Sequence, residues 1–214
     1  LSSKVEPPDF LELGLRPYRE IWDLQKKLQG ELISGAGSQK IIMCEHPAVI
    51  TLGTSAEASN VLAKEETLKS RGIEVVKIER GGDVTYHGPG QLVVYPILNL
   101  NNYRRDVDWY LRLLEGAIID TMAEFGISGT RIQGKTGVWT SPTKKIASIG
   151  VRFSRWCSMH GLSLNVTNCS DGFDLINPCG FKDIQIASFE TEGVKTDVQS
   201  VAKILKKHLL TAIS

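Results

Sequence analysis

Residues 80–91 read Arg80-Gly81-Gly82-Asp83-Val84-Thr85-Tyr86-His87-Gly88-Pro89-Gly90-Gln91, and they lie between two stretches of strand character, 74–79 and 91–100. Paired glycines and a Gly-Pro-Gly remove side chains where something must approach the main chain closely, and they leave N–H groups free to meet an anion or a carbonyl. Two readings stay open on this ground alone. The segment is a ligand-binding loop, or it is a hairpin whose tight turns use glycine for its backbone freedom.

Around it the apolar spacing predicts alternating kinds of element. Ile21, Trp22, Leu24, Leu28 and Leu32 recur at helical intervals over 18–33, which makes an amphipathic helix. Short strands are expected at 41–44 and 49–52 around His46-Pro47, a charged helix at 61–70 stopped near Gly72, and strands at 74–79 and 91–100. A long helix over 107–125 ends at Gly126, strands follow at 137–140, 145–153 and 161–166, and a last helix covers 198–213. Helices at the ends with many strands between them predict an α+β fold, one domain over 1–214 without linker or repeat.

Composition sets limits on partners. With 42% hydrophobic and 23% charged residues the chain can bury a core, and 25 Lys plus Arg against 24 Asp plus Glu leave a net charge of +1. That balance supplies no whole-molecule field toward nucleic acid or membrane. Apolar runs such as 92–98 are too short to span a bilayer. Residues 1–10 hold acidic residues and two prolines rather than an apolar signal core, so a cytoplasmic protein is expected, or a matrix protein if a leader preceded Leu1. Cys44, Cys157, Cys169 and Cys179 have no paired short spacing and read as free thiols in a reducing compartment; the glycosylation patterns at Asn165 and Asn168 are then coincidental.

Three further segments bear on chemistry. Gly129-Thr130-Arg131-Ile132-Gln133-Gly134-Lys135-Thr136 satisfies the P-loop spacing, but a helix precedes it and a strand follows, the reverse of the context that turns helix N-terminal amides toward phosphate. In the strand 145–153, period two places Lys145 with Ala147, Ile149, Val151 and Phe153. Desolvation on that apolar face would make a neutral amine accessible, as proton-handling lysines require; the alternative is a strand-entry lysine whose head reaches water. Asn177-Pro178-Cys179-Gly180 would hold a thiol on a tight turn, either as a nucleophile or as a small filler. Cys44-Glu45-His46 and Cys157-Ser158-Met159-His160 bring thiols near imidazoles, yet neither has a second half with metal-ligand spacing, so no metal site is expected.

In this order, His46-Pro47, Thr51-Leu52-Gly53, the glycine-rich segment, Lys145 to Gly150, Ser158 to Asn165 and Asn177 to Gly180 resemble the lipoyl(octanoyl) transferases over nearly the whole chain. The resemblance implies a mixed, largely antiparallel sheet flanked by helices, similar to biotin and lipoate protein ligases and to the catalytic domains of class II aminoacyl-tRNA synthetases. It implies Cys179 as the acyl-thioester residue and Lys145 as its activating lysine. It puts an acyl pocket on Arg80, Gly81, Gly82, Asp83, Val84, Thr85, Tyr86 and His87, on Ser148, Ile149 and Gly150, and on Gly161, Leu162 and Ser163.

The implied reaction moves an octanoyl group from acyl carrier protein to a lysine of lipoyl domains, those of 2-oxoacid dehydrogenase E2 subunits and the glycine cleavage H protein. It needs no cofactor, because thioester to amide is downhill. Since carrier proteins are acidic, Arg104, Arg105, Arg152, Arg155 and Lys182 are candidates for a docking surface. An ATP-dependent lipoate or biotin ligase, and a non-catalytic carrier-binding module, are the competing readings.

Overall fold

The computed structural model describes residues 5–167, 170–177 and 184–214. In chain order the elements are β1 (Asp9–Leu15), α1 (Tyr18–Ser34), β2 (Lys40–Glu45), β3 (Val49–Leu52), α2 (Glu65–Ser70), β4 (Glu74–Lys77), β5 (Val84–His87) and β6 (Gln91–Ile97). There follow α3 (Val107–Glu124), β7 (Thr130–Ile132), β8 (Lys135–Ser141), β9 (Lys144–Ser154), β10 (Cys157–Asn165), α4 (Ser170–Phe173), β11 (Gln185–Ile186) and α5 (Val198–Ile213).

The larger sheet has the order β1-β2-β6-β10-β9-β8-β7, with β11 alongside β9, and a smaller one has the order β4-β3-β5. β1 with β2, β11 with β9 and β3 with β4 run parallel; the other pairs are antiparallel. The expected mixed α+β architecture is therefore present.

Strand periodicity divides the core between the two faces of the larger sheet. Ile41 and Met43 of β2 and Leu92 and Val94 of β6 join Leu114, Ile118, Val201 and Leu205 of α3 and α5. Their alternates Ile42, Cys44, Val93 and Tyr95 join Tyr18 and Ile21 of α1 on the opposite face. Both faces being covered, β6 is buried along its whole length, which is why its sequence is an unbroken apolar run rather than an alternating one. Asp106 and Asp197 cap α3 and α5, their carboxylates accepting from the N–H groups of Trp109 and Ser200 at 2.9 and 2.8 Å.

The α1 stripe differs from the expected one in an instructive way. Tyr18, Ile21, Gln25, Gln29 and Leu32 are the buried positions, so two glutamines hold the centre of the face. Their reason is β10: Gln25 Oε1 accepts from the His160 N–H at 2.9 Å, and Gln29 Nε2 donates to the Cys157 carbonyl at 2.9 Å. The helix thus satisfies buried main-chain groups of the sheet. The helix expected over 61–70 forms only over Glu65–Ser70. Val61 is instead captured in a bridge with Ile176, and the N–H groups of Leu62 and Ala63 go to the Leu175 carbonyl. The P-loop spacing falls on the β7–β8 hairpin, and strand β8 follows where a P-loop requires a helix.

Candidate active site

The glycine-rich segment folds back over the larger sheet. The Gly81 N–H donates to the Val151 carbonyl at 3.0 Å. Arg80 ties the segment to the smaller sheet: its Nη2 donates to the Thr51 carbonyl at 2.8 Å and to Thr51 Oγ1 at 3.0 Å. Beneath it, β9 and β10 pair Gly150 with Gly161. A Cβ on Gly150 would stand 2.8 Å from the Gly81 carbonyl oxygen, and one on Gly161 would stand 2.1 Å from that of Val94. Glycine here serves close approach of main chains rather than a turn.

Between roof and floor lies a cavity of about 60 Å³ lined by Arg80, Gly81, Gly82, Asp83, Val84, Thr85 and His87, by Ser148, Ile149 and Gly150, and by Gly161, Leu162 and Ser163, with Tyr18, Val93, Tyr95 and His160 completing the walls. Of the positions expected in an acyl pocket, only Tyr86 does not line it. Its ring packs against Phe173 with centroids 5.6 Å apart, in the cluster under the smaller sheet. Tyr18, Val93, Tyr95 and His160 are wall residues the sequence did not single out for the pocket; the position of His160 beside Gly161 was the one available sign.

A chain of polar contacts runs from this cavity toward Lys145. Gln91 Nε2 donates to Asn165 Oδ1 at 2.8 Å and Asn165 Nδ2 donates to the Ala187 carbonyl at 3.0 Å, while the Ala187 N–H donates to the Lys145 carbonyl at 2.8 Å. Because the amide nitrogen of Gln91 is the donor, its Oε1 accepts from His87 Nδ1 at 2.6 Å. His87 therefore carries its proton on Nδ1 and a lone pair on Nε2. Burial, assisted by the neighbouring His46, pulls its pKa down to about 3. Burial likewise lowers His46 and His160 to about 4, so the three imidazoles are neutral at pH 7.

Lys145 is buried at 7% exposure, with Nζ 5.1 Å from the centroid of the Trp139 ring. Its surroundings come from a β-bulge: Val138 pairs with Ala147 but Trp139 with Lys145, so β9 has one extra residue, Ile146, at this point. The β8 backbone then passes against the lysine, and a Cβ on Gly137 would lie 2.7 Å from Lys145 Cε. Gly137 is held by the fully buried Glu115, whose Oε1 accepts from its N–H at 3.0 Å and whose other oxygen meets Arg112 and Arg131.

The other expected candidates divide. Cys179 lies outside the described residues, as do Pro178, Gly180, Lys182 and Cys169. Cys44 and Cys157 are free and buried, and burial pushes the Cys44 thiol up to about 12 and the Cys157 thiol above its ordinary value, as befits protonated fillers. His46 is engaged with the Arg16 carbonyl at 2.7 Å and the Tyr95 hydroxyl at 2.8 Å. Arg104, Arg105, Arg152 and Arg155 are exposed, with Arg104 paired to Asp106 at 2.7 Å. Among the described residues no helix is long and apolar enough to cross a membrane.

This architecture is that of the lipoate and biotin ligases. A bipartite lipoate protein ligase of Thermoplasma acidophilum, solved in work that includes its E2 lipoyl domain, superposes with a TM-score of 0.73 at 15% identity, covering 97% of this chain and 84% of that one. Biotin protein ligase of Aquifex aeolicus gives a TM-score of 0.53 at 12% identity, over 97% and 70%. At sequence level residues 17–211 match the lipoyl protein ligase A/B catalytic domain. The octanoyltransferases of Acidobacterium capsulatum and Bacteroides fragilis are each 43% identical to this chain; the first covers 92% of it and 85% of the relative, the second 93% and 95%. The chain belongs to the lipoyl protein ligase A/B catalytic-domain family.

Proposed function

We propose that this chain, acting as a single catalytic domain, is an acyltransferase that moves an octanoyl group from acyl carrier protein to a lysine of lipoyl domains, including those of E2 subunits and the glycine cleavage H protein. The Cys179 thiolate attacks the carrier thioester, the acyl carbon bonds to its sulfur, and the carrier thiol leaves with a proton supplied by Lys145. The lysine amine of the acceptor then attacks the acyl-enzyme, an amide forms, Cys179 is released as thiolate and the amine's proton returns to Lys145. The acyl chain occupies the cavity between the segment 80–85 and β9–β10. The bacterial cytosol, where free thiols persist, is the expected setting.

The observation that carries this reading is how the described residues on either side of Cys179 are held. Before it, Asn177 donates its N–H to the Asn60 carbonyl at 2.7 Å, and Asn60 Nδ2 donates to the cavity-lining Asp83 at 2.6 Å. After it, Gln185 and Ile186 pair with Lys144 and Lys145. In sequence, the thiol stands between an anchor at the cavity and an anchor at the buried lysine. The octanoyltransferase relatives support a transferase over the ATP-dependent activation of a ligase.

The protein should be incubated with octanoyl carrier protein and then with an apo lipoyl domain, without ATP, and both products read by intact mass. Octanoylated lipoyl domain supports the transferase; a requirement for ATP and free octanoate would make it a ligase, and carrier binding without transfer would make it a scaffold module. Cys179→Ala should abolish the acyl-enzyme, and a covalent adduct that persists in this variant would move the nucleophile elsewhere.

A further inference from the structure

The roof of the slot and the stretch that leads toward Cys179 meet at one residue. Asn60 ends the single turn Ala58–Asn60, its N–H donating to the Glu57 carbonyl at 3.0 Å. It is buried, with 8% exposure, and does not line the cavity. Its Nδ2 donates to Asp83 Oδ2 at 2.6 Å, while the other oxygen of that carboxylate accepts from the Val84 N–H at 2.7 Å. Its main-chain carbonyl accepts from the Asn177 N–H at 2.7 Å, and Asn177 Nδ2 lies 3.5 Å from its Oδ1.

Both sides of this join are fastened by its neighbours. The N–H groups of Gly53, Thr54 and Ser55 go to the carbonyls of Asp83, Arg80 and Gly82 at 3.2, 2.9 and 3.1 Å. On the other side Val61 bridges Ile176, and the N–H groups of Leu62 and Ala63 donate to the Leu175 carbonyl. Residues 53–63 are therefore a strap with the roof on one edge and 175–177 on the other. Those fastenings are main chain to main chain, which many sequences would supply. The Asn60 carboxamide adds a charge-assisted bond to the carboxylate, stronger than a neutral one. An amide is suited to the place because it offers a donor to Asp83 and keeps an acceptor toward Asn177.

We propose that Asn60 is a positioning residue, a clasp that holds the roof at Asp83 in register with 175–177, so that an acyl group in the slot is aligned for attack by the thiol two residues beyond Asn177. The inference rests on the acyltransferase reading and adds to it a residue outside the cavity that governs alignment in the acylation step.

The test follows acyl-enzyme formation from octanoyl carrier protein in single turnovers over a range of donor concentrations, at temperatures where each variant is folded. Asn60→Ala should lower the rate at saturating donor about tenfold. The half-saturating donor concentration should stay within about threefold, because no lining side chain is removed. Iodoacetamide needs no seat in the cavity, so its reaction at the peptide bearing Cys179 should stay within about threefold of wild type. A loss of fold alone would not separate these rates. Asn60→Asp sets two carboxylates against each other and should lose as much; adding Asp83→Asn supplies a donor again and should recover at least about half of that loss on a logarithmic scale. An Asn60→Ala acylation rate within about twofold of wild type, a loss carried by donor half-saturation, a parallel fall in alkylation, or no recovery in the double variant overturns the proposal. If Asn60→Ala does not fold, the Asn60→Asp pair decides by itself. Wild-type protein that forms no acyl-enzyme refutes the acyltransferase reading instead.

Discussion

Replacing Glu115 by alanine isolates the support behind Lys145. The carboxylate is wholly buried, while its arginine partners Arg112 and Arg131 keep 46% and 42% of their side chains exposed. On its removal both guanidinium groups regain water, so their pairing contributes little to the loss. The Gly137 N–H cannot do so, and stranding it beside a missing carboxylate costs about 1.5–3 kcal/mol. The emptied side-chain volume adds about 1 kcal/mol. A total near 3 kcal/mol lowers Tm by about 6–12 °C in a chain of this length. Urea unfolding and a thermal melt read the loss directly. Glu115→Gln, which keeps an acceptor for Gly137, should lose less than about 1.5 kcal/mol. Because the Gly137 main chain abuts the lysine, kcat for acyl transfer should fall in the alanine variant at temperatures where it is folded. A stability loss below about 1 kcal/mol would refute the reasoning, since Gly137 would then have found another partner.

Acid should destabilise the fold earlier than carboxylate protonation alone would. His46, His87 and His160 have folded pKa values below their ordinary 6.5, so stability is complete above pH 6.5 and declines toward pH 4 as the unfolded chain takes up protons that the folded one refuses. Urea unfolding should show a slope approaching about 4 kcal/mol per pH unit when all three contribute; a flat profile between about pH 7 and 5 would contradict this. Arg80→Lys keeps the charge but loses the fork that grips Thr51. It should raise the KM for the acyl donor more than it lowers kcat, and an unaltered KM would show that the roof needs no such clamp.

What was legible in the sequence follows from how local each determinant is. The helices α1, α3 and α5 carry apolar residues at helical spacing, and β6 carries an apolar run, so each is readable from its own residues. β1 is not: Asp9–Leu15 is an edge strand whose identity depends on parallel pairing with β2. β5 hides between glycines, and α2 begins late because Ile176, far along the chain, takes Val61. In the site, the glycine-rich segment and the two short stretches on β9 and β10 were readable as a motif. Tyr18 and Val93 were not, because only the packing of α1 against β6 brings them to the cavity. The bulge at Ile146 was equally hidden, since it exists only relative to β8.

That the slot is floored by paired glycines has a bearing on how such a protein diversifies. Where main chain itself forms the wall, there is no side chain to trim or enlarge, and Gly150 and Gly161 are barred from acquiring one by carbonyl oxygens less than a van der Waals contact away. Inherited variation in what the slot admits falls to the neighbours that own side chains, Val93, Ser148, Ile149, Leu162 and Ser163 among them. Lineages that differ in cargo should differ there, while the glycine columns stay silent.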